Sequence, residues 1–166
     1  VRRFEPFFST TQRYEFGVCV GVSPVIFYDP AGRVIATLHP NHTFEKVVFD
    51  AWRQTTYDTN DTCAPRRSQA GDPRTDEDIG GFVAGYFKAL QSSSDRPWKT
   101  WYEQRINGGL GKQERVAAER AAAHADTPST AHLDVLGRPF LTVVRNHVVC
   151  AGHDLDGREE DFVTRV

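Results

Sequence analysis

The sequence has no methionine, only three cysteines, and no stretch approaching the roughly 18 to 20 consecutive apolar residues that a membrane-spanning helix needs. No membrane insertion is therefore expected. The first twenty residues carry no continuous apolar core of a secretory leader, so the chain reads as soluble and without a visible address. Cys19, Cys63 and Cys150 include no C-x-x-C pair, which excludes a zinc ribbon, and their odd number leaves at least one thiol free. An excess of positive charge is also missing. With 20 Lys+Arg against 22 Asp+Glu the net charge is −2, so no broad footprint for nucleic acid or anionic lipid exists and no nucleic-acid partner is expected. There is no G-x-S-x-G elbow, and Gly108-Gly109-Leu110-Gly111-Lys112 has neither the spacing of a phosphate-binding loop nor the Ser or Thr that must follow its lysine. Serine-hydrolase and nucleotide-binding readings fall with those absences. A chain that starts at Val1 and holds no methionine is expected to be a piece of a longer polypeptide or the product of a valine-encoding start codon.

What is present suits a folded domain. The 166 residues are 39% apolar and 25% charged, with 11 phenylalanines, enough for one packed core. Residues 13–20 alternate Tyr14, Phe16, Val18 and Val20 against Glu15, Gly17 and Cys19, the period-two pattern of a strand with one buried face. Val25 to Tyr28 and Val34 to Leu38 flank Asp29-Pro30-Ala31-Gly32, a turn in which proline sets φ and glycine accepts a positive one, so a hairpin follows. His39-Pro40-Asn41-His42 turns again into Thr43 to Asp50, and residues 1–61 therefore read as a β-meander.

From Thr62 to Asp78 the chain becomes rich in Pro, Gly and charge, the composition of a surface loop from which no core is expected. Ile79, Phe82, Val83, Tyr86, Phe87 and Leu90 then recur at helical spacing, with Asp76 or Asp78 placed to cap the helix. Ser94 to Pro97 introduce a short helix with Trp98, Trp101 and Tyr102 on one face, and Lys112 to Ala125 form a third, Ala-rich one. Residues 62–128 are thus a loop and helical insertion of about three helices. β patterning resumes over 129–166, where Pro139 to Val144 is the clearest strand and the final run has no visible partner. The expected fold is mainly β with a helical insertion (α+β), a single unit over 1–166.

The chain also repeats itself. Tyr28-Asp29-Pro30-Ala31-Gly32-Arg33 and the strand after it parallel Leu133-Asp134-Val135-Leu136-Gly137-Arg138 and its strand, while Phe49-Asp50-Ala51-Trp52-Arg53 is a looser copy without the glycine and Tyr57-Asp58 repeats only the opening pair. The logic is local. Asp can accept backbone N–H bonds from two residues ahead, Gly takes the left-handed position, and Arg can lie along the neighbouring strand to meet a carboxylate.

This pattern resembles the YD-repeat, or Rhs, family, and the resemblance covers nearly the whole chain. The runs EPFFSTTQRYEF, GVSPVIFYDPAGRVIATLHPNHTFEKVVFDAWRQTTYDTNDT, TWYEQRINGGLGKQE and HLDVLGRPFLTVVRN look like the segment of insecticidal toxin-complex and SpvB-type Rhs proteins in which helices interrupt the β repeats. The resemblance implies YD-repeat hairpins in an antiparallel sheet, part of a hollow β shell that encloses a toxin domain. It makes Tyr28, Asp29, Gly32, Arg33, Asp134, Gly137 and Arg138 structural residues, with no intrinsic catalysis. The implied partners are the rest of a larger Rhs polypeptide, or a second copy paired through an open strand edge. The implied location is that of a soluble bacterial-type protein, secreted or cytoplasmic as part of a toxin complex.

One constellation points elsewhere. His153-Asp154-Leu155-Asp156-Gly157-Arg158-Glu159-Glu160 opens with D-x-D-G, two carboxylates on one side of a glycine bend, which suits the hard oxygen preference of calcium. Ca²⁺ held by Asp154, Asp156 and Glu159 or Glu160, with His153 moving a proton, would make a hydrolase acting on a small ester or lactone. Without that metal no cofactor is expected.

Overall fold

A computed structural model of the chain describes residues 1, 2, 13, 16, 21–67, 69–93 and 96–165. The strand expected over residues 13–20 lies outside the described residues apart from Arg13 and Phe16, both exposed.

Seven strands run in chain order across one antiparallel sheet: β1 (Val25–Tyr28), β2 (Val34–Leu38), β3 (Phe44–Phe49), β4 (Arg53–Tyr57), β5 (Ser129–Leu133), β6 (Pro139–His147) and β7 (Glu159–Arg165). Three helices, α1 (Gly80–Ser92), α2 (Trp101–Ile106) and α3 (Lys112–Ala122), all fall between β4 and β5. The fold is therefore mainly β with a helical insertion. The insertion leaves the sheet at Tyr57 and returns in register, pairing Thr56 with Ser129 and Arg53 with His132, so the meander continues as if the helices were one long hairpin loop. The final strand has a partner after all: β7 pairs with β6 from Leu141↔Arg165 to His147↔Glu159.

Directly opposed residues of antiparallel strands point to one face, and alternate residues along a strand to the other. Leu38, Phe44, Lys46 and Tyr57 thus share a face with Thr130, Val143 and Val163. The insertion covers the first half of that face. Val83 and Phe87 of α1, with Ile79 just before it, pack on Val25, Ala36, Leu38 and Phe44, and Phe27, Tyr86, Leu90 and Trp98 close the rim of this core. The apolar stripe of α1 follows its spacing at Ile79, Val83, Tyr86, Phe87 and Leu90, whereas Phe82 stands 47% exposed off the core, and the start of the helix is built differently. Its N-cap is Ile79 with no side-chain cap bond, while Asp76 accepts from Asp78 N at 3.0 Å and Ile79 N at 3.3 Å in the turn before the helix. In α2 the cap is Thr100, joined in a reciprocal capping box with Glu103, so Trp98 lies ahead of the helix instead of on its face.

The loop expected to contribute nothing to a core contributes one. Cys63 and Ala64 are buried against Ala125 and flanked by Tyr102, Ala121 and Ala122. Composition misleads here because the polar neighbours are satisfied internally: Thr62 Oγ1 donates to Phe44 O, and buried Asp61 accepts from Thr127 N at 3.0 Å and Thr127 Oγ1 at 2.8 Å. α3 stops at Ala122, short of the expected Ala125, and the chain turns through Asp126 at φ +59°.

Candidate functional site

Successive turns of a meander alternate between the two ends of its sheet, which puts the three copies of the Asp motif on one rim and the insertion on the other. In the first copy Asp29 Oδ1 accepts from Arg33 N at 2.9 Å and Oδ2 accepts from Arg33 Nε at 2.7 Å, while Gly32 turns the chain at φ +80°. The second repeats it: Asp134 Oδ1 accepts from Arg138 N at 2.9 Å, Oδ2 from Arg138 Nε at 2.8 Å, and Gly137 sits at φ +74°. A register shift falls at the same place in both, between Phe27 and Tyr28 and between His132 and Leu133. The glycine-free copy is one residue tighter. Asp50 accepts from Trp52 N and Arg53 Nε, each at 2.7 Å.

The arginine is therefore not laid along the next strand to reach a distant carboxylate, as the sequence suggested. It folds back on the aspartate of its own turn, because the left-handed glycine reverses the chain tightly enough to bring the side chains of residues i and i+4 together. Each carboxyl is held below its ordinary pKa, by the backbone N–H of Arg33 first for Asp29, that of Trp52 for Asp50, and the Arg138 guanidinium for Asp134. Neighbouring turns are coupled as well: Leu133 N donates to Trp52 O at 2.8 Å, and the Arg33 guanidinium lies 4.3 Å from the Phe49 ring centre. Along this rim each turn pairs its own aspartate with its own arginine.

The opposite end holds the D-x-D-G sequence in the turn between β6 and β7. Asp156 Oδ1 accepts from Cys150 N at 2.8 Å, and His153 Nδ1 accepts from Leu155 N at 3.2 Å. Glu159 Oε1 receives both Arg66 and Arg67, the latter holding the Glu159 carboxyl below its ordinary pKa. Glu160 follows on the other face of β7, opposite Asn146. Asp154 is exposed in the turn. Among the described residues no three His, Cys, Asp or Glu side chains gather to hold a metal ion.

Two features escaped the sequence reading. Lys46 is 1% exposed on β3, its Nζ 2.8 Å from Asp76 Oδ2 and 2.6 Å from Asp78 Oδ2, and 4.7 Å from the Tyr57 ring centre. Burial opposes its charge, but the two aspartates outweigh that and hold its pKa above the ordinary value. The signal was available in TFEKVVFD, where Lys46 shares the parity of Phe44 and Val48. The second is an open cleft of about 720 Å³ between the end of α1 and residues 96–104, lined by His42, Arg74, Phe87, Trp98 and Gln104 among others. The His42 and Trp98 rings stack across it, 5.0 Å between centres.

No family model matches the chain, and no curated protein matches it. Solved structures do. The Photorhabdus luminescens Tc holotoxin pore matches with 16% identity and a TM-score of 0.45, over 87% of this chain and 4% of that one. The TcdB2-TccC3 crystal structure matches at 15% and 0.44, and the TcdB2-TccC3-Cdc42 structure at 16% and 0.47, with the same coverage. The chain thus spans about 4% of the length of the solved chains it matches.

Proposed function

We propose that the chain is a wall segment of a YD-repeat shell, a structural element that does no chemistry of its own and works joined to the rest of a larger polypeptide. The observation that carries this reading is the repetition of one clamped turn, down to the register shift beside it, along one rim of a sheet that passes through its insertion unbroken. Such a unit is extensible. Each hairpin covers little of its own surface, gains stability from the strand beside it, and presents a free edge to the next. The residues of the YD resemblance, Tyr28, Asp29, Gly32, Arg33, Asp134, Gly137 and Arg138, act here as turn closers and bear no catalytic role. Electron microscopy of the whole polypeptide encoded around this segment is the test. A hollow particle with this sheet in its wall is the expected result; a compact particle in which β7 is capped by unrelated structure, or saturable ester or lactone hydrolysis by the chain that is lost in Asp156→Asn, would overturn the reading.

A further inference from the structure

The cleft between the end of α1 and residues 96–104 plays no part in the wall reading, and its walls are built in advance. Trp101 N donates to His42 O at 3.1 Å, while Lys99 O accepts from His42 Nδ1 at 2.6 Å and from Gln104 Nε2 at 2.9 Å, so the turn after β2 and the segment leading into α2 are tied by backbone and side chain. Trp98 is fixed from several sides. His42 stacks on it, the Phe87 ring meets it edge-on at 4.8 Å, and the Arg74 guanidinium lies 5.1 Å from its centre while Arg74 Nη1 donates to Trp98 O at 3.2 Å. A lining locked in this way does not have to be ordered by a ligand, and about 720 Å³ is the size of a small-molecule site.

The chemistry of the lining selects the ligand. Phe87, Leu90 and Trp98 give it apolar surface, and among the described residues that line it there is no Asp or Glu, whereas Arg74, Arg96 and Lys99 are all present. This reverses locally the net charge of −2 that the whole chain carries. The three cations differ. Arg74 is bonded to Asp72 through Nε at 2.9 Å and has Glu103 3.9 Å away, Arg96 is exposed, and Lys99 is exposed with no ion pair among the described residues. One unpaired lysine calls for one negative charge. A Trp98 ring already engaged by His42 and Arg74 favours a flexible aliphatic chain over a planar ring that must stack. We infer that this cleft binds an aliphatic monocarboxylate, its chain lying on Phe87, Leu90 and Trp98 and its carboxylate meeting Lys99. Burial of the chain supplies the affinity, and the lysine sets the orientation. The inference goes beyond the wall reading and does not rest on it.

Isothermal titration of the chain with decanoate, and with decylamine as the cation of matched length, tests it. Decanoate should bind one-to-one with a dissociation constant below about 1 mM, and decylamine about tenfold more weakly or worse. Lys99→Glu should weaken decanoate about tenfold by setting a like charge against the carboxylate. Gln91→Trp, which adds a ring at an exposed position of the lining, should block the cleft, and both variants should melt as the wild type does. In nitrogen-15 correlation spectra of the wild type, decanoate should shift Leu90, Trp98 and Lys99 and leave the exposed apolar residues Val144 and Phe162 of the sheet in place. Absence of saturable binding, equal binding of decylamine, unaltered binding in Gln91→Trp, or shifts centred on β6 and β7 overturns the inference. None of these results bears on the shape of the longer polypeptide, so the wall reading fails or stands by microscopy alone.

Discussion

The two halves of the sheet use the same turn and differ in everything behind it. Around β1 to β3 a helix lies on one face, and Val25, Ala36, Leu38 and Phe44 are shut away beneath Ile79, Val83 and Phe87. In β5 to β7 no residue is fully buried, and Phe140, Val144, Phe162 and Val163 stand exposed. Yet Asp29–Arg33 and Asp134–Arg138 agree to within 0.1 Å in both of their clamp bonds. The turn is thus a local device, indifferent to how well the strands it joins are packed, and the stability of each half depends on what covers it.

The largest expected effect breaks the covered half. Lys46→Ala leaves Asp76 buried without its cation and should cost about 3–5 kcal/mol in denaturant unfolding, because an unpaired buried charge is expensive. Ile79→Ala, which opens a cavity under α1, should cost about 2–5 kcal/mol. Phe162→Ala in the bare half should change monomer stability by no more than about 0.5 kcal/mol, and a larger loss would mean that the halves are not so different.

Acid should act on what the halves share. Asp29 and Asp134 are held below their ordinary value of 3.8, so they add stability above it that is lost as pH falls through the depressed values. Asp61 runs the other way: burial raises its pKa, and its ionisation cost is relieved as pH falls through that raised value. Wild-type unfolding followed from pH 6 to pH 2 should therefore lose stability below about pH 4. Asp29→Asn and Asp134→Asn should each flatten that loss by a similar amount, and Asp61→Asn should leave it or steepen it.

Thiol reactivity sharpens the comparison without unfolding the protein. Cys63 is buried in the insertion core and burial pushes its pKa up to about 11, whereas Cys150 is exposed in the turn before β7. Iodoacetamide at pH 8 should label Cys150 promptly and Cys63 only as the protein unfolds, as read by peptide mass mapping. The smallest effect expected is that of calcium. With Asp156 Oδ1 bonded to Cys150 N and Glu159 engaged by two arginines, melting curves in calcium and in chelator should coincide. A clear rise with calcium would bring the acidic turn back as a metal site.

Much of the sheet was legible because its signals are local. The Asp-x-x-Gly-Arg turns, the alternation in the strands that flank them and the stripe of α1 each lie within a dozen residues of sequence, where hydrogen bonding and side-chain period decide the outcome. The turn arginines and the start of α1 were misread locally, but the larger misreadings involve distant partners. Thr62 to Asp78 looks like open loop until α3 and β3 are brought against it, and Trp98 leaves its supposed helix to stack on His42 from another turn. The candidate site divides the same way, since each clamp closes on itself whereas the D-x-D-G ligands depend on where Arg66 and Arg67 arrive from the insertion. By itself, then, the sequence determined the turns, the strands and the helical stripe, whose energies are set between near neighbours. Only the tertiary structure decided that β4 pairs with β5 across the whole insertion, that Lys46 is buried between two aspartates, and that Glu159 of β7 meets Arg66 and Arg67 from the insertion. Those outcomes depend on closing long loops and on which surfaces then meet, which no short window of sequence contains.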